Sequence, residues 1–182
     1  MERHERIALF NETMKDVPIS NEFAEFLVMN GFFTAPASKA YHGAYEGGLF
    51  DHSYNVTDAL VQLTKDCRLP WERPESPYII GMFHDLCKIE SYQKDKEDPT
   101  RYQNRDKSAQ LYTGHGEKSV LLLAPWIQLT PEEIACIRWH MGAFDDKENW
   151  NHYTAAIHQF PAVLWAHHAD MIAAHIWEVA HD

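Results

Sequence analysis

Residues 77–88 most constrain what this chain can fold into. Ser76-Pro77 predicts a helix start, with the serine capping and the proline in the first turn, where its missing N–H costs little. The helix predicted over 77–88 carries Ile79, Ile80, Met82, Phe83 and Leu86 and is apolar nearly all round. Such a helix belongs in the centre of a domain. Yet it also carries His84 and Asp85 side by side. Buried imidazole and carboxylate groups are costly unless paired, hydrogen-bonded or coordinated. A divalent cation satisfies both, and so does a buried His–Asp hydrogen bond. The pair alone does not decide between them.

The periodicity around this segment is helical nearly throughout. Helices are predicted over 4–16, over 21–30 with Gly31 in the C′ position, and over about 49–67, ending before Pro70. Another covers 116–124 and stops at Pro125. Thr130-Pro131-Glu132-Glu133 combines a cap, an N1 proline and a capping box, and opens a helix to His140 that Gly142 terminates. The last helix runs over roughly 161–180. Residues 34–48 read as a loop of small residues, and the polar stretch 90–112 as a loop with room for a short hairpin. The fold class is all-α. With 45% hydrophobic and 24% charged residues, the 182-residue chain reads as one globular domain, 1–182.

Other polar residues repeat the anomaly of His84-Asp85. His52 opens the long helix after the glycine loop, and Asp170 sits among alanines and apolar residues on the last helix. An acid in such a place asks for a partner. His115 and His140 stand at helix edges beside Gly114, Gly116 and Gly142, where a glycine permits close backbone approach. The chain holds 12 histidines in all, and histidine is the commonest metal ligand.

In this order, His52, His84-Asp85, His115, His140 and Asp170 resemble the HD-domain superfamily of metal-dependent phosphohydrolases. The local strings Gly47-Gly48-Leu49-Phe50-Asp51-His52-Ser53, His84-Asp85-Leu86-Cys87-Lys88-Ile89 and Ala169-Asp170 carry the resemblance, which spans about residues 40–175. It is nearest to the HD domains of bacterial 3′–5′ exoribonucleases and related stand-alone hydrolases. Cys87 departs from it, because a small residue usually precedes the lysine. The resemblance implies a compact helical bundle with a two-metal centre between core helices. His52, His84, Asp85 and Asp170 would hold one ion, and Asp85 would bridge to a second held by His115 and His140. Paired cations would activate a water for attack on phosphorus. Lys88 would pair with a phosphate oxygen, against the plainer role of a helix-end lysine favoured by the dipole. His42 is placed near the pocket as a phosphate or outer contact. Such ligands suit manganese, iron, zinc, cobalt or nickel alike.

The remaining features are weaker. His167 shares the face of Asp170 and is expected to orient a ligand, whereas His4, His152, His158, His175 and His181 read as surface or packing residues. Cys67, Cys87 and Cys136 form no C-x-x-C pair and read as reduced, buried thiols. Phe23, Phe26, Phe32 and Phe33 read as core. Six of the 16 basic residues fall within 88–107, with Tyr92, Tyr102 and Tyr112 in or beside this stretch. One reading is a lid in which Tyr112 stacks on a substrate base. The other is a solvated loop, favoured because neighbouring acids nearly cancel the charge.

A net charge of −11 disfavours a grip on long duplex nucleic acid. No apolar run is long enough to span a membrane, and the N-terminus lacks the apolar core of a signal peptide, so a cytoplasmic location is expected. The leading expectation is a phosphohydrolase acting on a small phosphorylated substrate, a nucleotide first. Two alternatives remain: a diiron oxygenase on the same ligand set, and a regulatory module that binds a nucleotide without turnover. Oligomeric state and substrate identity are left open.

Overall fold

The apolar character of residues 76–83 places α4 (Ser76–Phe83) at the centre of the molecule, packed against α3 (Gly48–Cys67), α6 (Pro131–Trp139) and α8 (Ala162–Ile172). The computed structural model describes residues 1–106 and 114–179. Around α4 lie α1 (Arg3–Thr13), α2 (Asn21–Met29), α5 (His115–Leu123) and α7 (Trp150–Gln159), with a hairpin of β1 (Tyr92–Lys94) and β2 (Tyr102–Asn104) on one side. The protein is mostly helical, as the periodicity requires. Among the described residues no helix is long and apolar enough to cross a membrane.

Phenylalanines fill the space where α1, α2 and the following turn meet α4. Phe23 lies 5.3 Å from Phe83 and Phe32 lies 6.0 Å from it, measured between ring centroids, and Phe10 meets Phe33 edge-on at 5.5 Å. Phe23, Phe32 and Phe33 are buried as expected. Phe26 is only partly buried and packs against Trp126 at 5.0 Å.

The close approach of α3 and α4 depends on Gly81. A Cβ there would lie 2.5 Å from the Thr57 Cα, inside any real contact distance. Any side chain at this position would push the two helices apart. That contact sets how near His52 on α3 can come to His84 at the end of α4.

Several local expectations need correcting. Ser76 does not cap α4: the cap position is Glu75, and the Ser76 hydroxyl instead donates to Glu133 Oε1 at 2.8 Å. Glu133 also closes the predicted capping box with Thr130 and takes a two-pronged contact from Arg73 at 2.8 and 2.7 Å. A buried carboxylate with three such partners recruits the nearest hydroxyl more strongly than a helix start does. The helix predicted over 77–88 ends at Phe83 and is followed by a 3₁₀ turn, Leu86–Glu90. The last helix stops at Ile172 and passes into a π-type turn, Ala173–Trp177. α7 has no counterpart in the sequence reading, and none of its residues is buried. Of the cysteines, Cys87 and Cys136 are buried, but Cys67 is exposed at the end of α3.

Candidate metal centre

His84 and Asp85 stand where α4 ends. His84 still has helical dihedrals, whereas Asp85, at φ −107° and ψ 20°, has left them. This region of backbone space is sparsely used and recurs at active sites. His84 Nδ1 donates to the Gly81 carbonyl at 2.8 Å. His140, at the end of α6, repeats the arrangement: its Nδ1 donates to the Ile137 carbonyl at 2.7 Å. A carbonyl can only accept, so in each neutral ring the proton sits on Nδ1 and the lone pair on Nε2. Both rings are therefore set as Nε2 ligands.

His52 reaches the same point from the first turns of α3. Its Nδ1 lies 3.0 Å from Glu178 Oε1, and its Nε2 lies 3.2 Å from Asp170 Oδ1 and 3.9 Å from Asp85 Oδ2. His84 Nε2 is 3.4 Å from Asp85 Oδ2, and His140 Nε2 is 3.6 Å from Asp85 Oδ1. His52, His84, Asp85, His140 and Asp170 are all buried, and Glu178 is partly so. Even so, His52 Nε2, His84 Nε2, His140 Nε2 and Asp85 Oδ1 have no hydrogen-bond partner. More than nine in ten buried polar groups have one. Four orphans converge on one point, 3.2–3.9 Å from a neighbouring ligand atom, at or a little beyond the ligand edges of a cation. With bonds of about 2.1 Å those edges run from about 3.0 Å in an octahedral site to about 3.4 Å in a tetrahedral one. These buried histidines and aspartates could hold a metal ion.

The electrostatics agree. Burial opposes charge on His52, but the Asp170 and Glu178 carboxylates flanking its two nitrogens outweigh this and raise its pKa to about 9. Burial likewise opposes charge on Asp85, yet Lys88 and His84 hold its carboxyl well below the usual range. Asp170 is depressed by its histidine neighbours against burial, His52 foremost. In the absence of a cation, a proton on His52 balances part of this negative charge.

The structure brings together His52, His84, Asp85 and Asp170, as the resemblance implies. His140 joins His84 and Asp170, one ligand atom of each lying within 4.8 Å of the others, and its Nε2 also lies 3.6 Å from Asp85 Oδ1. The shared C-terminal geometry of α4 and α6 aims both Nε2 atoms at Asp85. His115, the exposed first residue of α5, falls with Asp85 and Cys87 within the same limit. Lys88 is no plain helix-end lysine. It turns inward, with Nζ 2.5 Å from Asp85 Oδ2.

His42 stacks obliquely on His52 at 4.7 Å between centroids, and its own Nε2 is buried without a partner. Burial, then the neighbouring His52, lowers its pKa to about 4. Tyr112, the candidate for base stacking, lies outside the described residues.

A cavity of about 560 Å³ opens above the centre, with His42, Asp85, Lys88 and Asp170 at its base. Met141, Phe144 and Met171 form apolar walls, and Tyr41 and His175 stand at the rim. His175 is exposed, as expected, and lines the edge of this cavity. A larger hollow of about 780 Å³, between α1, the end of α3 and the start of α4, contains none of the candidate ligands.

Outer contacts hold the ligands in place. His167 Nδ1 donates to the His140 carbonyl at 2.8 Å, as its position on the face of Asp170 suggested. Its ring lies under Gly142, where a Cβ would come within 2.6 Å of it. Glu178, which also accepts from Asn55 Nδ2 at 2.9 Å, escaped the sequence reading. Only the π-type turn Ala173–Trp177 aims it at His52, and π-type turns often occur at functional sites. Cys87 was visible only as a departure from a pattern. Comparison of the chain with protein-family models, with curated proteins and with solved structures finds no match.

Proposed function

We propose that this chain is an HD-type, metal-dependent phosphohydrolase that cleaves a phosphoester or phosphoanhydride of a small nucleotide-like substrate. One observation carries the reading: three orphan imidazole nitrogens gather around the orphan carboxylate oxygen of Asp85, and Asp85 with Asp170 lines a cavity. The order of the motifs along the chain supports the family, and the helical fold is compatible with it. Divalent ions bound there would acidify a water and neutralise the charge of a phosphoryl transition state. The chain's own groups do the rest. Asp85, kept ionised by Lys88 and His84, orients from the centre of the cluster. Lys88 lies on the cavity floor and can exchange part of its contact with Asp85 for a phosphate oxygen. His42 offers its unpartnered Nε2 to the same group.

The walls speak to the rest of the substrate. Phe144 is 66% exposed and Tyr41 is 80% exposed, beside Met141 and Met171. Exposed aromatic faces beside a charged floor suit a base or another flat apolar body. A cavity of about 560 Å³ matches a small ligand, and a net charge of −11 disfavours extended nucleic acid.

The test is phosphate release from a panel of nucleotides by metal-free protein reconstituted with manganese, iron, zinc, cobalt or nickel, with Asp85→Ala as the blank. Metal-dependent release in the absence of dioxygen supports hydrolysis over the oxygenase alternative. Tight nucleotide binding without release would favour the regulatory module. Turnover that survives Asp85→Ala would overturn the scheme.

A further inference from the structure

We propose that the Cys87 thiolate is a metal ligand which, with His115 and Asp85, holds a second cation of the class of zinc or cobalt. This rests on the metal-dependent reading above and specifies its second ion. The 3₁₀ turn Leu86–Glu90 places Cys87 beneath the start of α5, where its backbone N–H donates to Ser119 Oγ at 3.1 Å. Its Sγ then lies 3.4 Å from His115 Nδ1. One ligand atom from each of Asp85, Cys87 and His115 lies within 4.8 Å of the others, and Asp85 Oδ1 is buried without a hydrogen-bond partner.

The sulfur–nitrogen distance fits two ligands of one ion. Zinc–sulfur bonds of about 2.3 Å and zinc–nitrogen bonds of about 2.05 Å give a ligand edge of about 3.6 Å at the tetrahedral angle and about 3.1 Å at a right angle. The observed 3.4 Å lies between them, nearer the tetrahedral value. His140, which the resemblance would assign to this ion, is already gathered with His84 and Asp170. Ligation releases the thiol proton to solvent, and no electrons are transferred. A thiolate beside an imidazole and a carboxylate favours zinc or cobalt over manganese or magnesium.

The competing role for Cys87 is that of a small buried hydrophobe, which an alanine or serine would fill nearly as well. Two measurements separate the two. The first titrates metal-free protein with Co²⁺ and follows the near-ultraviolet sulfur-to-cobalt charge-transfer band. Wild type is expected to develop the band with the second equivalent, and Cys67→Ser to keep it. Cys87→Ser and Cys87→Ala are expected to lose the band and to weaken the second equivalent by at least tenfold, since loss even of an outer partner costs about 10–100-fold. The second is zinc X-ray absorption on wild type, which needs no variant to fold and is expected to show sulfur at about 2.3 Å. Metal bound without the band and without a sulfur scatterer would overturn this inference and leave the proposed hydrolase standing. Wild-type protein that retains no divalent metal would overturn both.

Discussion

The metal-free centre should make the stability of this protein fall with pH between about 6.5 and 9, a range where most proteins change little. His52 is the cause. Its side chain is 1% exposed, and its pKa is raised from 6.5 to about 9 by Asp170 and Glu178 against the cost of burial. A raised pKa means that the folded state holds the proton more tightly than the unfolded chain. The resulting stability is complete below pH 6.5 and is lost as pH climbs through 9. At about 1.4 kcal/mol per unit, the shift is worth about 3 kcal/mol. His140 is raised as well, by Asp85 against burial, and adds in the same direction. His42 and His115 are lowered, chiefly by burial, so their contribution is complete by pH 6.5 and does not oppose the trend. The buried carboxylates are ionised in both states throughout the range and add no slope. Urea unfolding of chelator-treated protein, followed by circular dichroism from pH 6 to 9, measures this directly. The expected result is a loss of about 3 kcal/mol over the range, shrinking when Glu178→Gln removes one of the two carboxylates. A flat or rising profile would refute the electrostatic account of His52. Divalent metal should replace that proton, so metal affinity should rise by up to about tenfold per unit as pH climbs towards 9.

Other consequences follow from single contacts. Glu178→Gln should weaken metal binding by about 10–100-fold in a calorimetric titration, because the carboxylate that orients His52 is lost. Gly142→Ala should destabilise by about 1–3 kcal/mol in thermal unfolding, since its φ is 55° and the new Cβ would meet the His167 ring. Gly81→Ala should cost about as much and also weaken metal binding, because it separates the helices carrying His52 and His84. Phe144→Ala should raise KM for a nucleotide while leaving kcat within about twofold, the mark of binding equal in ground and transition states. A fall in kcat alone would place Phe144 in the chemistry instead.

Much of this molecule was legible in the chain because periodicity and polar anomalies report on burial. An acid among alanines at Asp170, and a His-Asp pair on an apolar helix, can only be buried polar groups, and these residues meet at one point. The hidden parts depend on where helices stop. The break after Phe83 leaves no trace in a segment whose apolar pattern continues through Leu86 and Ile89. Glu178 reaches His52 only because α8 passes into a π-type turn, and no residue type announces that. α7 was missed because its apolar stripe, Tyr153, Ala156 and Ile157, is short and only partly buried. The helix ends themselves follow one rule. The last turn of a helix leaves carbonyls without full intrahelical partners. His84 and His140 each follow the final residue of a helix, and each takes such a carbonyl, three residues back, with Nδ1. The same bond fixes the tautomer and aims Nε2 forward off the helix end. A histidine just past a helix terminus is thus held with its lone pair outward. Two helices ending at one aspartate thus aim two imidazole Nε2 atoms at a point that could hold a cation.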